Sequence, residues 1–334
     1  MRVTEGLRVV AAFGPVVGLV SRPESRPNGI SAVVRVKGEE EWIEPCLLSI
    51  KHFADEILVL DNGASPETRT TLDRLKGSLG AILQVTLCPQ LDLFQVSNHG
   101  LKLARFRWVI RWDADFIAHT NGPGDIQDLR RYLLRLDPRR YYVVSVAASE
   151  VAGDLFHQFP DLRVRHDGQA AIWSSGIGYV AVHRIVAVHD LATPDRVLRA
   201  DGSVSRTLES LKTPCYYRSL CWEHPAYFHV NVKSARHMLL RHFWLEWLDA
   251  SRRGTGESRE EYVSRRAQEE WKAPGLAEAE HCYVTAYCKQ LAPFDARRCG
   301  PYPELLKPYL REPRYLVEYR DGTIIGRREC TGPP

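Results

Sequence analysis

Between residues 30 and 148 short apolar runs alternate with amphipathic stretches, and that alternation limits the fold more than any other feature. "ISAVVRV" (30–36), "EILVL" (56–60), "AILQVTL" (81–87), "RWVIRW" (107–112) and "YYVVSVAA" (141–148) read as strands. The segments between them have helical spacing. In "EEEWIEPCLLSIKHF" (39–53), Trp42, Ile43, Cys46, Leu47, Ile50 and Phe53 share one face, with acids in the first turn. "SPETRTTLDRLKG" (65–77) opens with Ser65 as N-cap and Pro66 at the first helical position, and Gly77 is expected to stop it. "FQVSNHGLKLARF" (94–106) and "GDIQDLRRYLLRL" (124–136) are amphipathic helices. This order predicts an α/β fold, a doubly wound and mostly parallel sheet covered on both faces.

After residue 150 the pattern changes. "LRVRHDGQAAIWSSGIGYVAVHR" (162–184) is strand-like and punctuated by Gly, which suggests antiparallel additions. "YFHVNV" (227–232) is a further strand, and "SREEYVSRRAQEEW" (258–271) a charged helix. "SARHMLLRHFWLEWLD" (234–249) reads as one helix with Met238, Leu239, Phe243 and Trp247 in an apolar stripe. Its Arg and His content would also suit a membrane surface, but an aromatic stripe at this spacing favours core. "YLVEYRDGTIIG" (315–326) has the form of a hairpin turning at Asp321-Gly322.

The net charge of +4 is spread along the chain without blocks of like charge, so nucleic-acid binding is not implied. Scattered cysteines without a zinc spacing read as free thiols of a reducing, cytoplasmic setting. Residues 9–20, "VVAAFGPVVGLV", are too short to span a bilayer and read as part of an N-terminal extension, residues 1–29.

In doubly wound sheets ligands bind beyond the carboxyl ends of the strands. Two strand ends here are acidic: Asp61 in "LVLDNGAS", and Asp113 with Asp115 in "RWDADFIAH". Two carboxylates one residue apart repel unless a cation or donors compensate, and Mg²⁺ or Mn²⁺ commonly bridges such acids to substrate phosphates. Asp61 could accept hydrogen bonds from a base or ribose, or initiate the turn "DNG". G-x-G-x-x-G, P-loop and G-x-S-x-G signatures are absent from the sequence, which argues against nicotinamide dehydrogenases, P-loop nucleotidases and serine hydrolases.

"AVVRVKGEEEWIEPCLLSIKHFADEILVLDNGASPET" (32–68) and "VSNHGLKLARFRWVIRWDAD" (96–115) together resemble family 2-type glycosyltransferases with the GT-A fold. The resemblance is close over about residues 31 to 120 and fades towards 240. It implies a domain over residues 30–233, with a nucleotide-sugar half (30–120) and an acceptor half (121–233), followed by a helical region with a terminal hairpin (234–334). It implies a metal-dependent transfer of a sugar from a nucleotide-diphosphate donor to an acceptor hydroxyl, with inversion, using Mn²⁺ or Mg²⁺. The acceptor could be a glycan, a lipid-linked molecule or a small metabolite. A sugar-1-phosphate nucleotidyltransferase and a non-catalytic carbohydrate-binding relative are the alternatives; the acidic "VKGEEE" disfavours the first.

By motif, Asp61 corresponds to the acid that contacts base or ribose, and Asp113 and Asp115 to the metal-binding Asp-x-Asp, with Asp115 the more direct ligand. Arg35, Lys37 and Glu39 lie at the end of the first strand, near the expected nucleotide, and Asn98 on the helix beside the diphosphate. His229 could complete the metal shell or be a strand histidine, with His183 as rival. Lys233 could neutralise diphosphate. Glu223 is the first candidate for the base, with Asp154 and Asp201 as rivals. Gly38 stands where Asn is usual, Ser97 where Arg often precedes Asn, and Phe116 where many relatives have a further acid.

Overall fold

The computed structural model describes residues 26–38, 41–122, 124–140, 142–160, 177–180, 192–198, 204–211, 218–252, 254 and 256–330. Strands β1 (Ile30–Gly38), β2 (Glu56–Ala64), β3 (Leu83–Leu87) and β4 (Trp108–Asp113) form a parallel unit in the order β3-β2-β1-β4. The sheet continues through β7 (Ile177–Val180), β6 (Tyr142–Ala152), β10 (Arg218–Asn231) and β5 (Phe116–Ala118). β7 runs antiparallel to both β4 and β6, and β10 runs parallel to β6. The carboxyl ends of β1, β2, β4, β6 and β10 therefore point the same way. A separate antiparallel pair joins β8 (Ala192–Leu198) and β9 (Val204–Leu211).

Alternation within the strands explains the two covered faces. Ala32, Val34 and Val36 of β1, with Ile57 and Val59 of β2, meet α1 (Ile43–Ser49), α2 (Pro66–Leu79) and α4 (Ile126–Arg135). Val33, Leu58 and Leu60 face the other way, against Val96 and Leu101 of α3 (Leu93–Leu103). Gly100 permits that second contact: a Cβ there would lie 2.4 Å from Val33 Cγ1. The Asn-x-Gly of the sequence is in this respect a packing device.

Two boundaries differ from expectation. α2 runs through Gly77 and ends at Gly80 (φ +59), because Leu72, Leu75 and Leu79 are all buried along its face. A helical Gly costs only about 1 kcal/mol relative to Ala, less than those contacts provide. The stretch 234–249 is two helices, α5 (Ala235–His242) and α6 (Trp244–Arg252), meeting at buried Phe243.

The stripe of α5 and α6 is core. Leu239, Leu240 and Phe243 pack with Tyr262 and Val263 of α7 (Arg259–Trp271) and Ala279 of α8 (Leu276–Cys288). No helix among the described residues is long and apolar enough to cross a membrane. The hairpin forms as expected between β11 (Tyr315–Arg320) and β12 (Thr323–Glu329), with positive φ at Asp321 and Gly322. It packs against β6, α5 and α8 through Val317 and Ile324, beside Ala152, Met238 and Val284.

Candidate active site

Arg35 on β1 and Asp113 on β4 are parallel neighbours at the strand ends. Arg35 NH2 lies 3.2 Å from Asp113 Oδ1, and Arg111, two residues back on the same strand face, sets NH2 3.2 Å from Oδ2. Arg35 also donates from NH1 to Ser97 Oγ at 2.9 Å. Burial alone would raise the Asp113 carboxyl, but Arg111 and Arg35 outweigh it and hold it below the usual range.

Asp115 lies in the turn into β5, with its carbonyl fixed by Val230 N at 2.8 Å. It is 4 % exposed. Two basic side chains, one at the end of β10 and one just beyond it, reach its Oδ2: His229 Nε2 at 3.4 Å and Lys233 Nζ at 2.7 Å. Burial would raise this carboxyl strongly, yet Lys233 and His229 keep it well below the normal value, so it is ionised. His229 pairs in register with Glu150 of β6, whose Oε1 is 3.5 Å from His229 Nδ1. Burial pulls the imidazole down, but Asp115 and Glu150 outweigh it and raise its pKa.

Phe116 answers the missing third acid. It is fully buried against Trp112, Tyr227 and the edge of the His229 ring, so that position belongs to the core beneath the site.

Asp61 is closed by its own surroundings. Its Oδ1 accepts from Gly63 N at 2.9 Å and Ala64 N at 2.7 Å, and its Oδ2 from Arg69 Nε at 2.8 Å. The turn "DNG" therefore uses this carboxylate directly. Asn98 is buried on α3, one residue beyond the Ser97 hydroxyl that meets Arg35. Lys37 places its ammonium 4.9 Å from the Trp244 ring centroid. Glu39, His183 and Asp201 lie outside the described residues.

Of the two expected bases, Asp154 is bound elsewhere in the fold. Glu223 falls within the irregularity of β10 between Trp222 and Tyr227, six residues before His229, and its side chain lies outside the described residues. Asp154 is tied to the fold: Oδ1 binds Phe156 N at 2.8 Å and His157 Nδ1 at 2.6 Å, and Oδ2 accepts from Val317 N at 2.7 Å. Its carboxylate anchors the hairpin, and both oxygens are occupied.

Sequence reasoning missed Glu150, Arg111 and Glu41. Glu150 could have been found by the rule that found Asp61 and Asp113, an acid at the carboxyl end of a strand. Arg111 could have been found from strand alternation with Asp113. Chemically the group couples an acid pair to Arg35, Arg111, Lys233 and His229, a setting for oxyanions and for a cation on Asp115. Among the described residues no three His, Cys, Asp or Glu side chains are already grouped to hold a metal.

Against this geometry, the family model for glycosyl transferase family 2 matches residues 31–166, less than half of the chain. Residues 31–166 are thus similar to the glycosyl transferase family 2 domain. That segment includes β1 to β6, Asp61, Asp113, Asp115 and Glu150, but not His229 or Lys233. No curated protein matches significantly.

Solved structures give distant likenesses. S. aureus TarS is 13 % identical, covering 92 % of this chain and 98 % of that one at a TM-score of 0.38. Glucosyl-3-phosphoglycerate synthase from Mycobacterium tuberculosis, solved with Mn²⁺, UDP and glucosyl-3-phosphoglycerate, is 21 % identical over 41 % of this chain and 49 % of that one, at 0.28. A nucleotidyl transferase from Methanothermobacter thermautotroptrophicus is 18 % identical over 38 % of this chain and 66 % of that one, at 0.27. At these TM-scores none of the three carries an argument about this chain.

Proposed function

We propose that this chain transfers a sugar from a nucleotide-diphosphate donor to an acceptor hydroxyl, with the donor diphosphate at the Asp113–Asp115 turn. The observation that carries the reading is the buried, ionised Asp115 joined to Lys233 and His229 at the carboxyl ends of the strands. Arg35, Arg111 and Lys233 supply positive charge for a departing diphosphate, and guanidinium groups suit its oxygens bidentately. On this reading Lys37 and Asn98 fall on the nucleoside flank, beside the turn that Asp61 closes.

On this reading a divalent cation would sit at Asp115, with the surrounding ion pairs rearranged to admit it. Both contacts of the Asp115 carboxylate fall on Oδ2, which leaves Oδ1 for a ligand. His229 has its second ring nitrogen turned to a carboxylate, Glu150, the usual orienting arrangement of a ligating imidazole. Asp115, Asp113 and His229 would hold the ion, and a nitrogen ligand suits Mn²⁺ better than Mg²⁺. When bound, the cation acts as a Lewis acid that stabilises the diphosphate leaving group. Glu150 orients His229, and Lys233 holds Asp115 ionised.

The test is a thermal-shift and calorimetric panel of UDP-, GDP- and ADP-sugars with Mn²⁺, followed by donor hydrolysis. At least one sugar nucleotide is expected to bind, with turnover lost in EDTA and restored by Mn²⁺. Full turnover in EDTA would remove the metal from the reading. Failure of every donor to bind would remove the transferase site itself.

A further inference from the structure

Lys233 is 5 % exposed, yet nothing in its own element explains why it reaches Asp115. It lies between the end of β10 and Ser234, the N-cap of α5. The neighbouring turn after β1 grips the chain on both sides of it. Trp42 Nε1 donates to Val232 O at 2.6 Å, and Ser234 N donates to Glu41 Oε1 at 2.7 Å.

Glu41 is held in turn from the opposite end of the sequence. Tyr315 OH donates to Glu41 Oε2 at 2.9 Å, and Arg314 NH1 lies 3.2 Å from the same oxygen. Burial, then Glu41, raise the Tyr315 pKa, so the phenol keeps its proton and remains a donor. Two further bonds fix the hairpin that carries Tyr315: Val317 N to Asp154 Oδ2, and Arg327 NH1 to Gly153 O at 2.8 Å. Arg327 also lies over the Tyr315 ring, 4.3 Å from its centroid. A continuous set of contacts thus runs from the hairpin through Glu41 and Ser234 to the residue that pairs with Asp115.

A carboxylate accepting from the N-cap of a helix is also an ordinary stabilising contact. What sets this one apart is its place. The two bonds from Glu41 and Trp42 fall on the peptides either side of a buried ammonium whose only ion-pair partner among the described residues is Asp115.

We propose that Glu41, backed by Tyr315, is a positioning residue that sets the Lys233 ammonium for the donor diphosphate, so that the C-terminal hairpin is a working part of the donor site. The inference rests on the reading of Lys233 as a phosphate-binding cation.

The experiment uses the full chain and four variants: Lys233→Met, Glu41→Ala, Tyr315→Phe, and Lys233→Met combined with Glu41→Ala. Tyr315→Phe removes one hydroxyl and keeps the inference open to refutation if Glu41→Ala does not fold. The first readout is amine acetylation of the folded protein, mapped by mass spectrometry. Lys233 is expected to be protected in wild type, relative to exposed Lys76, and to become labelled in Glu41→Ala and Tyr315→Phe. The second readout is calorimetric binding of UDP, GDP and ADP with Mn²⁺. Lys233→Met should weaken the tightest of these about tenfold or more. Glu41→Ala should weaken it in the same direction, with no further loss in the double variant. A contact that only stabilises the fold would lower the melting temperature and act additively.

Lys233 staying protected in both Glu41→Ala and Tyr315→Phe, or additive losses in the double variant, would overturn the inference alone. Absence of binding by all three nucleotides, or binding that Lys233→Met leaves unchanged, would overturn the donor-site reading and the inference with it.

Discussion

Asp61 and Asp115 carry the same signature, an acid where an apolar strand leaves a doubly wound sheet, and both are buried. They are satisfied in opposite ways. Asp61 is closed within its neighbourhood by the N–H groups of Gly63 and Ala64 and by Arg69 of the next helix. Asp115 is closed only by groups from distant parts of the chain, Lys233 and His229. A locally closed acid shapes a loop, whereas one held by remote basic side chains depends on the tertiary fold for its partners. The difference separates an acid bound into its own loop from one held by remote side chains, where the sequence treats them alike.

The strongest way to break this contrast is Asp115→Ala. It strands Lys233 as a buried unpaired charge, and breaking such a pair costs about 3–5 kcal/mol. The expected outcome is loss of donor turnover and a large fall in melting temperature. Lys233→Met in the Asp115→Ala background should restore much of the stability and none of the turnover. Turnover surviving in a folded Asp115→Ala protein would show that the chemistry lies elsewhere.

The same contrast explains what could be read from the sequence. β1 to β4 and their helices were legible because apolar runs and helical spacing are local signals, and each strand sends alternate residues to opposite faces. Ser65 was legible as a cap, since its hydroxyl accepts from Thr68 N three residues on. Gly77 misled because tertiary burial of Leu79 overrode a propensity of about 1 kcal/mol. The break at Phe243 depends on packing against α7, which no window around residue 243 contains. At the site, Asp113 and Asp115 stood out by spacing. Glu223 drew attention by preceding a strand at a suitable distance beyond Asp115, while Glu150 becomes relevant only through the β6–β10 register that sets it beside His229. Glu41 and Tyr315, at opposite ends of the sequence, meet only in the folded chain.

A smaller effect is expected at Asp61. Asp61→Ala leaves the N–H groups of Gly63 and Ala64 without their acceptor, which costs about 1–3 kcal/mol where such groups are buried. Any loss of activity should track that loss of folding, and nucleotide affinity of the folded fraction should stay near wild type if the carboxylate serves mainly its turn. A large affinity loss at unchanged melting temperature would move Asp61 from the loop to the nucleoside. The pH dependence follows the same logic. Burial alone would raise the Asp61 carboxyl, but Arg69 and the two N–H groups hold it below its ordinary value. A depressed folded-state value means the stabilisation is present above the unfolded pKa, about 3.9, and is lost as pH falls through the folded value. The melting difference between wild type and Asp61→Asn should therefore be full at pH 6 and shrink once pH drops below about 4.

The smallest effect, and the finest discriminator, is the response of the two ion pairs to salt. Arg69 is half exposed, so its attraction to Asp61 is screened as the Debye length falls from about 8 Å at physiological ionic strength to about 3 Å at 1 M. Arg69→Ala should lower the melting temperature slightly at low salt, and that difference should close at 1 M NaCl. Lys233 and Asp115 are both buried, so the difference between wild type and Lys233→Met should persist at the same salt. Equal salt sensitivity at the two sites would mean that water reaches Asp115 as freely as it reaches Arg69. The remote cations would then no longer mark that acid as the enclosed one.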